Sequence, residues 1–123
     1  MKIESVPDIW FPGLGRRSAC LLEGDTHAGK WVREQGRIDH DQYPLKFILA
    51  LRGAGGVIWD VGAMIGAYSC AFAMSARFVL SLEARVDAFQ CLKTNVEKYP
   101  NVRPVNQHDY EATDLITGER WHH

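Results

Sequence analysis

Asp60, Gly62, Gly66 and Glu83 are the residues whose types and spacing suggest chemistry. Asp60 stands where the apolar run "VIWDV" meets a turn, "GAMIG", and an alanine-containing segment follows. Glu83 closes the next apolar run, "FVLSLE", 23 residues after Asp60. In a doubly wound sheet, ligands bind outside the carboxyl ends of the strands. Two glycines in the turn allow backbone angles closed to other residues and let a ligand approach the main chain. The helix start beyond them offers N–H groups to a carboxylate or another anion. A carboxylate ending the second strand is placed to accept hydrogen bonds from ribose hydroxyls, a spacing common in nucleoside-binding α/β domains.

Asp60 narrows the nucleoside. A dinucleotide fingerprint is G-x-G-x-x-G, so that the backbone meets a pyrophosphate; here the spacing is G-x-x-x-G, and an acid precedes it. That acid would repel a pyrophosphate by about 4 kcal/mol for unit charges about 4 Å apart at an effective dielectric constant of about 20. It would favour an ammonium or a sulfonium. S-adenosylmethionine carries both, with a ribose and an adenine, and suits the pattern better than NAD. Taken singly, Asp60 reads equally as a helix cap and Glu83 as a solvated strand end; their combination with the turn points to a nucleoside.

These residues need strands and helices to hold them. "VIWDV" is short and nearly continuously apolar, as for a strand covered on both faces. "GAYSCAFAMSA" favours helix, "FVLSLE" strand, "VDAFQCLKTNVEKY" helix and "NVRPVN" strand. Val86, Phe89, Leu92 or Lys93, and Val96 fall at helical spacing, with the polar residues opposite. Pro104 cannot donate to a ladder and so argues for a sheet edge or a strand end. The order β-α-β-α-β with short links implies right-handed crossovers and a parallel sheet, a Rossmann-like α/β fold. Ahead of it, "WFPGLGRRSACLLEG" reads as a hairpin with "SACLLE" the clearer strand. "DTHAGKWVREQG" reads as a short helix from capping residues Asp25 and Thr26 to Gly36. "DQYPLKFILALRG" reads as a second helix, with Pro44 in its first turn and Gly53 at its close.

"DVGAMIGAYS", then "FVLSLEARVDAFQCLKTNV", then "NVRPVNQ" resembles the core of the FkbM-type S-adenosylmethionine-dependent methyltransferases over roughly residues 57 to 107. Those read D-V-G-A-N-I-G-x-Y-S, a strand ending in E-P, F-x-x-L-x-x-N-V, and a strand ending in V-N. The resemblance implies a class I methyltransferase core and methyl transfer to an acceptor hydroxyl, often on a sugar or a natural product. By position, Asp60, Gly62, Ala63 and Gly66 would form the loop on the methionine side. Tyr68 and Ser69 would follow at the helix start, with Ser69 able to reach the carboxylate. Glu83 would hold the ribose and Ala84 would lie against the adenine. Gln107, His108 or Asp109 would approach the adenine edge. Met64 stands in place of the family's Asn, and "EAR" in place of "EP". The family's fourth strand, resembling D-x-I-K-I-D-V-E-G, has no counterpart, so the resemblance implies the cofactor-binding half of such an enzyme or a non-catalytic S-adenosylmethionine-binding module.

The 123 residues suit one domain: a lead-in over 1–55, a cofactor-binding core over 56–110 and a tail over 111–123. Net charge is −1 and no Lys/Arg cluster interleaves with aromatics, from which no nucleic-acid partner is expected. A small-molecule acceptor is expected instead, and self-association through an exposed sheet edge. The three cysteines, Cys20, Cys70 and Cys91, are widely spaced and read as buried free thiols. The N-terminus has no apolar signal region and no stretch reaches membrane-spanning length, so no membrane partner and a cytoplasmic location are expected. "DTH" at Asp25 to His27, "DHD" at Asp39 to Asp41 and the terminal "WHH" read as a cap, a loop and a tail rather than metal sites. His27, His40 and Tyr43 are candidate contacts at the pocket mouth.

Overall fold

The computed structural model describes residues 1–39, 55–107, 112–114 and 119–121. Strands β1 (Ile3–Phe11) and β2 (Gly15–Leu22) form an antiparallel hairpin, and helix α1 (Ala28–Gln35) follows. The core unit is β3 (Val57–Val61), α2 (Ala67–Phe72), β4 (Phe78–Glu83), α3 (Val86–Asn95) and β5 (Val102–Asn106). Its strands form a parallel sheet in the order β3-β4-β5. Short strands β6 (Ala112–Asp114) and β7 (Glu119–Trp121) pair antiparallel. The second helix expected over "DQYPLKFILALRG" lies outside the described residues.

The hairpin and α1 form where local chemistry asks for them. Asp25 accepts hydrogen bonds from the backbone N–H groups of His27 and Gly29 at 2.8 and 2.9 Å, satisfying donors that a helix start leaves unpaired. At the other end, Gly36 adopts a left-handed conformation and its N–H returns to the Val32 carbonyl. Among the described residues, no helix is long and apolar enough to cross a membrane.

The parallel register places Ile58, Val79 and Val102 side by side on one face of the sheet, packed in the same apolar cluster as Ile65, Leu92, Phe11 and Leu21. The other face carries a smaller cluster of Leu80, Leu82 and Val105 with Phe78. β4 is central and buried along nearly all its length. Among the described strands β5 is outermost, which leaves Pro104 without a ladder bond to lose on its far side.

β3 departs from the continuous burial expected of it. Only Ile58 is buried, while Val57, Trp59 and Val61 are 41%, 51% and 67% exposed. The cause is position: β3 has one ladder partner among the described strands, and its alternate side chains face away from α2 and α3.

The apolar spacing of helix α3 holds in part: Leu92 and Val96 are buried, and Phe89 packs partly buried against the same cluster. Ala88, Cys91, Leu92 and Asn95 face inward, while Val86 is exposed. The polar member of that stripe is fully used. Asn95 Oδ1 accepts the Cys20 N–H at 2.7 Å, and its Nδ2 donates to the carbonyls of Cys20 and Ile65, each at 2.8 Å. One amide thus ties β2, α3 and the turn after β3 together. Tyr99 closes the other end of the hairpin by donating to the Pro12 carbonyl at 2.6 Å.

Candidate functional site

The carboxyl end of β3, the turn of residues 62–66 and the start of α2 line a cavity of about 320 Å³. That volume lies at the lower end of small-molecule pockets, about 300–1,000 Å³. Its walls are Asp60, Val61, Gly62, Ala63, Met64, Ile65, Ala67 and Tyr68, closed on one side by Ala28 at the start of α1. The helical lead-in therefore reaches the mouth of the pocket. His27 is exposed there, and His40 and Tyr43 lie outside the described residues.

The turn is held by its own backbone. Gly62 and Ala63 both donate to the Leu82 carbonyl at 2.9 Å, and Gly66 donates to the Ala63 carbonyl at 2.9 Å. Gly62 (φ 72°) and Gly66 (φ 94°) occupy the left-handed region. Gly66 has a second constraint: a Cβ there would lie 3.0 Å from Leu92 Cδ1 and 3.2 Å from Val96 Cγ1, so both side chains would have to give way slightly. Met64 also has positive φ, 52°, which costs a branched or long side chain about 1–2 kcal/mol and an asparagine less. Met64→Asn is accordingly expected to stabilise the fold by about 0.5–1 kcal/mol, read as a higher urea midpoint at unchanged slope. A lower midpoint would show that the Met64 side chain contributes more by packing than its backbone loses.

Asp60 lies in the cavity wall and accepts the Ser69 hydroxyl at 2.6 Å. Ser69 is in turn 2.6 Å from the Ser81 hydroxyl. With the Ser69 proton given to Asp60, Ser81 donates to Ser69, and the three form a chain running from the buried centre of β4 to the pocket wall. Both serines are fully buried, so Ser69 lies beneath the pocket surface rather than on it. Burial raises the Asp60 carboxyl above its ordinary value of 3.8; the Ser69 bond opposes this and the Glu83 charge adds to it. Among the described residues no ion pair reaches Asp60.

Glu83 is buried at the end of β4. Its Oε1 accepts the Met64 N–H at 2.8 Å and its Oε2 accepts the Arg85 N–H at 2.9 Å. The carboxylate thus braces the turn from behind, and it is not among the residues lining the cavity. An ionised carboxylate has about four acceptor positions, so each oxygen can still take a hydroxyl donor. Ala84 is half-buried beside it, Tyr68 meets Phe72 edge-on at 5.9 Å, and Gln107 is exposed just beyond β5. His108 and Asp109 lie outside the described residues. Ser81 escaped the sequence reading because a lone serine in an apolar strand carries no signal until the helix residue packed on it, Ser69, is known. Among the described residues no cluster of His, Cys, Asp or Glu could hold a metal ion.

No protein-family model and no curated protein matches the chain. Solved structures do. The 23S rRNA methyltransferase ErmE aligns with 59% of this chain and 31% of its own, at 21% identity and a TM-score of 0.51. TYW2 of M. jannaschii, solved with AdoMet, aligns over 58% and 36% at 24% identity and 0.48. The precorrin-6y C5,15-methyltransferase of Geobacter metallireducens aligns over 59% and 44% at 23% identity and 0.48. This chain thus spans less than half the length of each. The fold is the Rossmann-like core seen in the methyltransferase ErmE, carrying an antiparallel hairpin at its N-terminus. One expectation is corrected: nucleic acid is not set aside as a partner, because the same fold serves an enzyme of 23S rRNA.

Proposed function

We propose that this chain binds S-adenosylmethionine in the cavity between β3 and α2, as the cofactor-binding part of an FkbM-type methyltransferase acting on an oxygen of a small-molecule or sugar acceptor. The observation that carries the reading is Asp60: a partly buried carboxylate in a cavity wall, with its burial cost offset by no cation among the described residues. An ammonium or sulfonium supplies the missing charge. The donor set fits the rest of the molecule. Gly62, Ala63 and Gly66 give small positions for the methionine side, in a turn whose Met64 and Ile65 also line the cavity. Glu83 keeps acceptor capacity for ribose hydroxyls, and Ala84 offers a small surface for the adenine. Gln107 and His108 are the proposed contacts at the adenine edge. Tyr68 bounds the cavity, and Ser69 acts through Asp60 by fixing its rotamer.

Bound S-adenosylmethionine supplies a methyl group already attached to a good leaving group, so alignment of the acceptor can provide much of the rate. A second reading, binding without catalysis, is favoured by one observation. Asp60 is the one carboxylate in the described cavity wall, and it is engaged by Ser69. Incubation with S-adenosylmethionine tritiated in the methyl group, with sugar, hydroxylated small-molecule and RNA acceptors in separate arms, decides between them. Label recovered as an O-methyl group on a sugar or small molecule supports the first reading. Label on RNA redirects the acceptor, and retention of ligand without transfer supports the second. No retention of ligand removes both.

A further inference from the structure

Cys20 and Cys91 are 71 residues apart in sequence, and the fold sets their sulfurs 3.2 Å from each other. Cys20 lies on β2 and Cys91 on the inward stripe of α3. Neither can drift away alone. One turn along α3 from Cys91, the Asn95 amide holds both the N–H and the carbonyl of Cys20. The third cysteine has a different environment: the Cys70 thiol faces the Asn95 carbonyl at 3.8 Å. Cys20 retains 8% of its surface and Cys91 none. Burial and the neighbouring Cys20 both push the Cys91 thiol up, so it stays protonated at neutral pH.

We propose that Cys20 and Cys91 form a modification site, a thiol pair that low-molecular-weight disulfides convert into an intramolecular disulfide joining β2 to α3. The exchange balances without any other reagent. The Cys20 thiol loses its proton and attacks one sulfur of the small disulfide, giving a mixed disulfide and releasing one small thiolate. The Cys91 thiol then loses its proton and attacks the Cys20 sulfur, closing the protein disulfide and releasing the second small thiolate. The protein gives up two electrons and two protons, and the small disulfide becomes two thiols. Access of the reagent follows opening of the hairpin from α3, so oxidation is slow in the closed fold. The covalent loop so closed runs from residue 20 to residue 91 and contains Asp60, the turn of residues 62–66 and Glu83. Oxidation therefore restricts that segment in the unfolded chain, which stabilises the folded state relative to it.

The test is incubation of the full chain with glutathione disulfide without denaturant, alkylation of remaining thiols, and peptide mapping by mass spectrometry. One Cys20–Cys91 cross-linked peptide, Cys70 recovered alkylated, and a Tm higher by about 10 °C that dithiothreitol reverses are expected. Cys20→Ser and Cys91→Ser should each abolish the link and the Tm rise, while Cys70→Ser should abolish neither. The wild-type map stands even if a variant fails to fold. Recovery of Cys20 and Cys91 as free thiols or as separate glutathione adducts would overturn the proposal, as would a link to Cys70 or a link formed only in denaturant.

Discussion

Asp60→Asn is expected to raise the stability of the chain at neutral pH while weakening its affinity for S-adenosylmethionine by about 10–100-fold. The two effects have one cause. Burial disfavours the ionised Asp60 carboxyl, Glu83 adds repulsion, and the Ser69 hydroxyl compensates in part. An amide of the same shape still accepts the Ser69 proton and carries no charge to desolvate. Loss of a charged hydrogen-bond partner for an ammonium or sulfonium costs about 1.5–3 kcal/mol, which corresponds to that fold-change.

The pH dependence follows with a definite sign. The folded Asp60 carboxyl has a raised pKa, so the folded state holds its proton more tightly than the unfolded state does. The contribution of this group is fully present below the unfolded value and is lost as pH rises through the folded one. The difference in Tm between Asp60→Asn and wild type should therefore widen from the ordinary carboxylate range upward, then level off. A variant less stable than wild type at pH 7, with unchanged affinity, would show that Asp60 serves only to hold Ser69.

Asn95→Ala is expected to be the most destabilising single truncation outside the apolar core. It leaves the Cys20 N–H, the Cys20 carbonyl and the Ile65 carbonyl without the partner each has now. Each buried polar group left unsatisfied costs about 1–3 kcal/mol, and partial relaxation brings the sum to about 3–5 kcal/mol. For a chain of this size that lowers Tm by about 10–20 °C. Asn95→Asp keeps the acceptor for Cys20 but loses both donations and buries a charge, so it should be no better. A loss below about 1 kcal/mol in urea unfolding of Asn95→Ala would show that water or backbone movement replaces the amide.

The core was legible where one short segment decides the outcome. Apolar runs of five or six residues separated by glycine turns or polar helices determine β3, α2, β4, α3 and β5 in order. The positive φ values of Gly62 and Gly66 bear out the turn between the first strand and helix. Asp25 and Gly36 mark the two ends of α1 much as capping chemistry requires. The features missed depend on pairs distant in sequence. Asn95 read as solvent-facing because it is polar, yet a backbone 75 residues away satisfies it. The contact between Cys20 and Cys91, and the bond between Ser81 and Ser69, have the same origin. The exposure of Trp59 depends on which strand lies beside β3, and no property of "VIWDV" contains that.

The pocket assignment is tested most directly by isothermal titration calorimetry of the wild-type chain and Asp60→Asn with S-adenosylmethionine and S-adenosylhomocysteine. Micromolar binding to wild type, tighter for the sulfonium than for the neutral thioether, and lost or strongly weakened in Asp60→Asn, is the expected result. No binding of either ligand to the wild-type chain would contradict it, and the Asp60 pocket would then be a feature of the fold alone.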